Sequence, residues 1–294
     1  MTTLTCKTYD DKNCSAQKSK AVESDQNFSD RQQLQQRMCK IKHKILILSG
    51  KGGVGKSTVA ANLAMVLALK GKRVGLMDAD IHGPSIPKLL NLESAKISVS
   101  NNTIFPIIYS DTLKVISIGF FLKNRDDALI WRGPSKYGLI KQFLKDVNWG
   151  ELDYLIFDLP PGTGDEPLSI CQLIEDRDGA VIVSTPQSIA ISDVRKSVNF
   201  CRKLNLPILG VIENMSGFIC PKCGELTYIF SHGGAKKMAE EMNIPFLGEI
   251  PIDSDIVKKC DSGNSFISQH NKSLASVAFN KIIQLLLNNK ENEK

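Results

Sequence analysis

Residues 44–71 read KILILSGKGGVGKSTVAANLAMVLALKG. The stretch opens on KILILS (44–49), a short run of Ile and Leu that predicts a buried strand. It closes on STVAANLAMVLAL, apolar at helical spacing and followed by Gly71, which predicts a helix with a glycine after its last turn. Between the two lies GKGGVGKS, Gly50 to Ser57. It satisfies G-x-x-x-x-G-K-[ST] in the strand–loop–helix context that gives that pattern its meaning. The glycines let backbone N–H groups turn inward on phosphate oxygens, and the helix N-terminus adds partial positive charge. Gly50, Lys51, Gly52, Gly53, Val54, Gly55, Lys56, Ser57 and Thr58 are therefore predicted to hold the phosphates of a nucleotide. In this reading Lys56 reaches the β- and γ-phosphates, Ser57 ligates Mg²⁺, and Thr58 donates near the α-phosphate.

Working outward, further apolar runs follow at RVGLMDAD (73–80), LKVISIG (113–119), YLIFDLPP (154–161), GAVIVSTP (179–186), ILGVIENM (208–215) and PFLGEIP (245–251). Most are separated by helix-length segments. That alternation predicts an α/β fold with a doubly wound, mostly parallel sheet flanked by helices. Ligands in such a sheet sit beyond the C-terminal ends of the strands, so chemistry is sought just after each run. Residues 1–40 are polar, Ser/Gln/Lys-rich and poor in large apolar side chains. They are expected to be a flexible tail with a short helix over 30–40, leaving 41–294 as the ATPase domain.

Two of the strand ends carry acids. MDADIHGPS (77–85) places Asp78 and Asp80 at a strand mouth, Asp80 suited to orienting an attacking water and Asp78 to the magnesium shell. FDLPPGTGD (157–165) ends its strand on Asp158, read as the Walker B carboxylate that binds Mg²⁺. The PPGTG turn after it suits a segment that senses the γ-phosphate. No guanine-type Asn-Lys-x-Asp follows a late strand, since Asn271-Lys272 continues Ser-Leu. Asn214, at the end of ILGVIEN, can offer its amide to adenine, with Pro251 after the next strand, so the expected nucleotide is ATP.

CPKCG (220–224) presents two thiols on a Gly/Pro turn, half of a four-thiolate site. Among the residues after it only Cys260 is another cysteine. Read on its own, the Cys220/Cys223 pair suits a bridged iron–sulfur cluster, a zinc ion, a redox dithiol, or an unliganded turn.

Lys51, directly after the first glycine, is poorly placed for its own phosphates. With it, GKGGVGKS resembles the deviant Walker A loop of the dimeric MinD/ParA ATPases, and the resemblance implies that Lys51 contacts the partner's nucleotide. A closer resemblance is carried by KHKILILSGKGGVGKST, DADIHGPSIPKLL, WRGP (131–134), LDYLIFDLPPGTGDEPLSI, ENMSGFICPKCG and LGEIPID. Together these are similar to the Mrp/ApbC family of iron–sulfur cluster carrier ATPases, from about Lys42 to the C-terminus. The family implies a homodimer in which Cys220 and Cys223 of each chain share one [4Fe–4S] cluster. It further implies a cluster donor system, apo iron–sulfur proteins as recipients, and catalytic roles for Lys51, Lys56 and Asp80. Cys6, Cys14 and Cys39 do not reproduce the four-cysteine spacing of the related cytosolic scaffolds.

Composition sets the remaining bounds. The chain has 294 residues, 42% hydrophobic and 23% charged, with a net charge of +6. Its Lys and Arg residues are dispersed rather than gathered in a stripe with aromatics, which argues against nucleic acid. No apolar run approaches the ~20 residues of a membrane span, and the N-terminus lacks an apolar signal core. The expected setting is cytoplasmic, where eight cysteines argue for thiols and metal over disulfides. The competing expectation is a positioning ATPase of the MinD/ParA type with structural zinc at the dimer CxxC. It would use an amphipathic C-terminal helix, and Val277, Phe279, Ile282, Ile283, Leu286 and Leu287 do form an apolar set. Packing of that helix on the sheet accounts for the same set.

Overall fold

The computed structural model describes residues 25–121, 133–220, 222–253, 256 and 273–291. Cys6, Cys14, Trp131, Arg132, Pro221, Cys260, Asn271 and Lys272 lie outside them. A helix α1 (Asp25–Met38) leads into β1 (Ile41–Ser49), and the phosphate loop then opens α2 (Lys56–Leu69). After β2 (Val74–Asp78) come the one-turn α3 (Ile86–Leu89) and the hairpin β3 (Ser98–Ser100) and β4 (Thr103–Phe105). Next are β5 (Ile107–Ser110), β6 (Leu113–Ser117), α4 (Gly133–Asp146), β7 (Leu152–Asp158), α5 (Asp165–Leu173) and β8 (Gly179–Ser184). The remainder is α6 (Ser188–Lys203), β9 (Ile208–Ile219), β10 (Leu226–Thr227), α7 (Gly234–Glu241), β11 (Phe246–Ile252) and α8 (Leu274–Glu291).

Seven parallel strands form the sheet in the order β11-β9-β8-β1-β7-β2-β6. They contain the seven runs read from the sequence. Antiparallel β5 extends the β6 edge, and β10 pairs antiparallel with the far end of β9. Alternation along β1 explains why the run is apolar throughout. Leu46 and Leu48 enter one core with α1, α4, α5, α6 and α7, while Ile45 and Ile47 enter the other with α2 and α8.

Three expectations are corrected. The helix expected over 30–40 spans 25–38, and it is packed on the core rather than part of a flexible tail, with Leu34 and Met38 only 2% and 1% exposed. These two, four residues apart, make a narrow apolar stripe against α4. The rest of the anchorage is polar: Lys141 and Lys145 pair with Asp30 at 2.9 Å each, and Arg37 donates to Asn148. A composition count sees only the polar face. The strand holding Asn214 continues to Ile219. It does so through a bulge, with Met215 at φ 59° and Gly217 at φ 86°, where the register with β11 shifts between Ile250 and Ile252. On α8, Phe279, Ile282, Ile283 and Leu286 are buried in the core, but Val277 is exposed.

Candidate functional site

Strands β1, β2 and β7 are neighbours, with Ile47 opposite Asp158 and Asp158 opposite Asp78. Their C-terminal ends therefore converge, and the loops leaving them enclose a cavity of about 270 Å³. Ser49, the phosphate-loop residues Lys51–Thr58, Asp80, Ser85, Leu89 and Pro161 line it. Gly53 and Gly55 both lie at φ 79°, a left-handed backbone that glycine adopts readily. Gly50 has a different reason to be glycine: a Cβ there would come within 2.4 Å of the Asp193 backbone on α6. No spacing rule announces that contact. Lys51 lines the cavity, and its side chain makes no ion pair among the described residues.

Beneath the loop, Lys56 Nζ meets Asp158 Oδ1 at 2.5 Å, the two side chains 6% and 0% exposed. Asp158 Oδ2 is buried with no hydrogen-bond partner among the described residues. Burial raises the Asp158 carboxyl, against the pull of the Lys56 ammonium. Asp78 is raised to about 8, by burial first and then by the neighbouring Asp158 carboxyl. Asp158, buried and with one carboxyl oxygen unpartnered among the described residues, is a donor that fits a divalent metal ion. Both oxygens of Asp78 are also engaged, accepting from Asp80 N–H at 3.2 Å, Ile86 N–H at 3.2 Å and Ser117 Oγ at 2.9 Å. Asp78 therefore ties down both ends of the loop 80–86 and does not line the cavity. Asp80 does line it, and its Oδ1 accepts from the N–H groups of His82 and Gly83.

A second cavity of about 450 Å³ shares Gly55, Thr58 and Leu89 with the first. Asn214, Met215, Ile229, Phe230 and Pro251 form much of its wall. Asn214 Nδ2 donates to the Val54 carbonyl at 2.9 Å, so its amide already braces the phosphate loop. The structure thus brings Thr58, Asn214 and Pro251 together beside the phosphate compartment.

Cys220 and Cys223 occupy the turn between β9 and β10. Cys220 N–H donates to the Glu225 carbonyl at 2.9 Å and Gly224 N–H to that of Cys220 at 2.8 Å. Backbone N–H groups of Cys223 and then Lys222, with the Cys223 thiol, hold the Cys220 thiol below its usual range. That favours the thiolate, the form that ligates metal. Cys223 is exposed, and among the described residues no group of three His, Cys, Asp or Glu side chains is placed to hold a metal. Cys39 lies elsewhere, in the turn between α1 and β1.

Groups that sequence reasoning missed connect these parts. Lys136 on α4 donates at 2.7 Å to Glu166 Oε1 and at 2.7 Å to His82 Nε2, joining the start of α5 to the loop after β2. Burial pushes the Glu166 carboxyl up, but the Lys136 hydrogen bond, a backbone N–H bond and the charges of Lys136 and His82 together outweigh it and hold it low. Glu213 is 0% exposed in mid-strand, and a charged residue inside ILGVIEN was its only signal.

A family model described as ParA, NUBPL iron-transfer P-loop NTPase, matches residues 40–287. The chain belongs to this family. An iron–sulfur cluster carrier protein of Methanocaldococcus jannaschii is 51% identical over 261 residues, 89% of each chain. Among solved structures, a nucleotide-binding protein of Archaeoglobus fulgidus in complex with ADP, in which cobalt was found, has a TM-score of 0.71. It is 45% identical, over 80% of this chain and 92% of that one. The septum site-determining protein MinD of Pyrococcus horikoshii, complexed with Mg-ADP, has a TM-score of 0.60 at 21% identity, over 83% and 95% of the two chains. That likeness bears on the fold alone. As an iron-transfer P-loop NTPase the chain is a nucleotide-binding protein of the iron–sulfur carrier type. None of the helices among the described residues is long and apolar enough to cross a membrane.

Proposed function

We propose that this protein is an ATP-dependent iron–sulfur cluster carrier. It holds a [4Fe–4S] cluster between two copies of the chain through Cys220 and Cys223, and delivers it to apo-proteins in the cytoplasm. The observation that carries the reading is the β9–β10 turn. It offers two thiols, one held below its usual range, and no third ligand joins them among the described residues. Four thiolates suit a [4Fe–4S] cluster, and a second chain supplies the missing two. The MinD/ParA positioning alternative gains no specific support, since Phe279, Ile282, Ile283 and Leu286 of the C-terminal helix are spent on the sheet core.

The nucleotide side follows from the two joined cavities. ATP places its triphosphate along Lys51–Thr58 and its base against Asn214 and Pro251. Asp158 and Ser57 would hold Mg²⁺, which when bound neutralises charge on the β- and γ-phosphates. Lys56 then exchanges Asp158 for phosphate oxygens. Asp80 orients the attacking water, and Lys51 of one subunit reaches the nucleotide of the other. Hydrolysis is slow and serves to reset the dimer; the cluster is cargo.

The test is anaerobic reconstitution, followed by iron and sulfide quantification and by mass determination. Wild type is expected to hold four iron and four sulfide per dimer, the stoichiometry of one [4Fe–4S] cluster on Cys₄. Cys220→Ala should hold none yet bind ATP normally. Full loading of Cys220→Ala would overturn the assignment.

A further inference from the structure

The segment that carries the thiols runs from the β9 bulge at Met215 to the start of α7 at Gly233, and one side chain holds both ends. Glu213 Oε1 accepts from Ser216 Oγ at 2.8 Å and from Gly233 N–H at 2.9 Å, and its Oε2 accepts from Ala235 N–H at 2.7 Å. The last two N–H groups belong to the start of α7, where backbone donors lack partners within the helix. A fully buried acidic side chain is costly unless its oxygens are satisfied, and here the hairpin ends satisfy them. The next residue, Asn214, braces the phosphate loop through Val54. Within the held segment, Met215, Ile229 and Phe230 form part of the wall of the 450 Å³ cavity. Gly217, at φ 86°, seats the hairpin: a Cβ there would meet Leu226 at 2.9 Å and Tyr228 at 3.3 Å.

We propose that Glu213 is a positioning residue that fixes the cysteine hairpin as one wall of the base compartment, so that an adenine base in that compartment sets the position of Cys220 and Cys223. The proposal rests on reading the cavity as the base site and the thiols as the cargo site. Met215 and Ile229–Phe230 lie on either side of the cysteines in the chain. A base packed against them constrains the hairpin from both of its arms, while triphosphate alone touches neither. Linkage requires the converse as well: whatever fixes the hairpin changes nucleotide affinity by the same factor.

The test follows the thiols without needing a cluster. The alkylation rates of Cys220 and Cys223 by iodoacetamide are measured by peptide mass spectrometry on the reduced full-length protein. Magnesium is present throughout, with ATP, with inorganic triphosphate, or with neither. ATP is expected to change the Cys220 rate at least fivefold and triphosphate less than twofold. Phe230→Ala, assayed at saturating ATP, is expected to lose most of that response and to bind ATP more weakly. Glu213→Gln, which keeps the shape but replaces one acceptor oxygen by a donor, should raise the Cys220 rate without nucleotide and blunt the ATP effect. Glu213→Asp should restore part of it, which a general loss of folding would not. Equal rates with and without ATP, or an equal effect of triphosphate, would overturn the proposal. Failure to load iron in the reconstitution would overturn the carrier reading and leave this measurement standing.

Discussion

Two glycines of the phosphate loop share a backbone angle and differ in surroundings. Gly53 and Gly55 both sit at φ 79°, where a side chain costs about 1–2 kcal/mol. Around Gly53 a Cβ would meet nothing within 4 Å, whereas at Gly55 it would lie 2.3 Å from Asn214 Nδ2. Gly55→Ala is therefore expected to lose more thermal stability than Gly53→Ala, by about a further 1–2 kcal/mol for the displaced, buried amide. It should also weaken ATP binding at least tenfold through that amide; calorimetric denaturation and ATP titration of the two variants check this. The sequence pattern names both glycines but cannot rank them. The ranking depends on Asn214, 159 positions after Gly55, arriving at the loop through β9.

At the scale of elements, β1, β2 and β7 are pinned at their N-terminal ends by one carboxylate. Asp153 accepts from Lys42 Nζ at 2.9 Å and from Arg73 N–H at 2.9 Å. Burial acts to raise its carboxyl, but the Lys42 and Arg73 bonds prevail and hold it well below the usual 3.8. With the folded value depressed, the unfolded chain takes up the proton first as pH falls. The stabilisation is thus complete above about pH 4 and lost as pH drops toward the folded value. Asp153→Asn should cost about 1 kcal/mol at pH 7, a modest figure because Lys42 is largely exposed. The gap from wild type in denaturant titrations should narrow progressively as pH falls below about 4. The strands themselves were legible as apolar runs, since strands covered on both faces must be apolar throughout. The small β5 and β10 additions were not legible, because short edge pairings carry little pattern of their own.

For the whole molecule, α1 decides what counts as the folded unit. Leu34 sits in the same core as Leu46, Phe157 and Ile182, so Leu34→Ala should cost about 2–4 kcal/mol. Unfolding should stay a single transition by circular dichroism; a separate early transition of the helix would show that α1 is an appendage. The sequence alone determined the phosphate loop, the parallel α/β class, the acids at the strand ends and the paired thiols. Each of these is a local pattern, imposed by backbone geometry or by periodic burial within a few residues. Tertiary structure decided what those patterns act on. It placed Asp78 under its loop rather than in the cavity, folded residues 25–38 onto the core, and joined His82, Lys136 and Glu166. It also set Glu213 beneath both ends of the cysteine hairpin. These depend on strand order and on side chains meeting across long stretches of chain, where burial makes an unpaired polar group costly and so selects its partner. No local spacing encodes that selection.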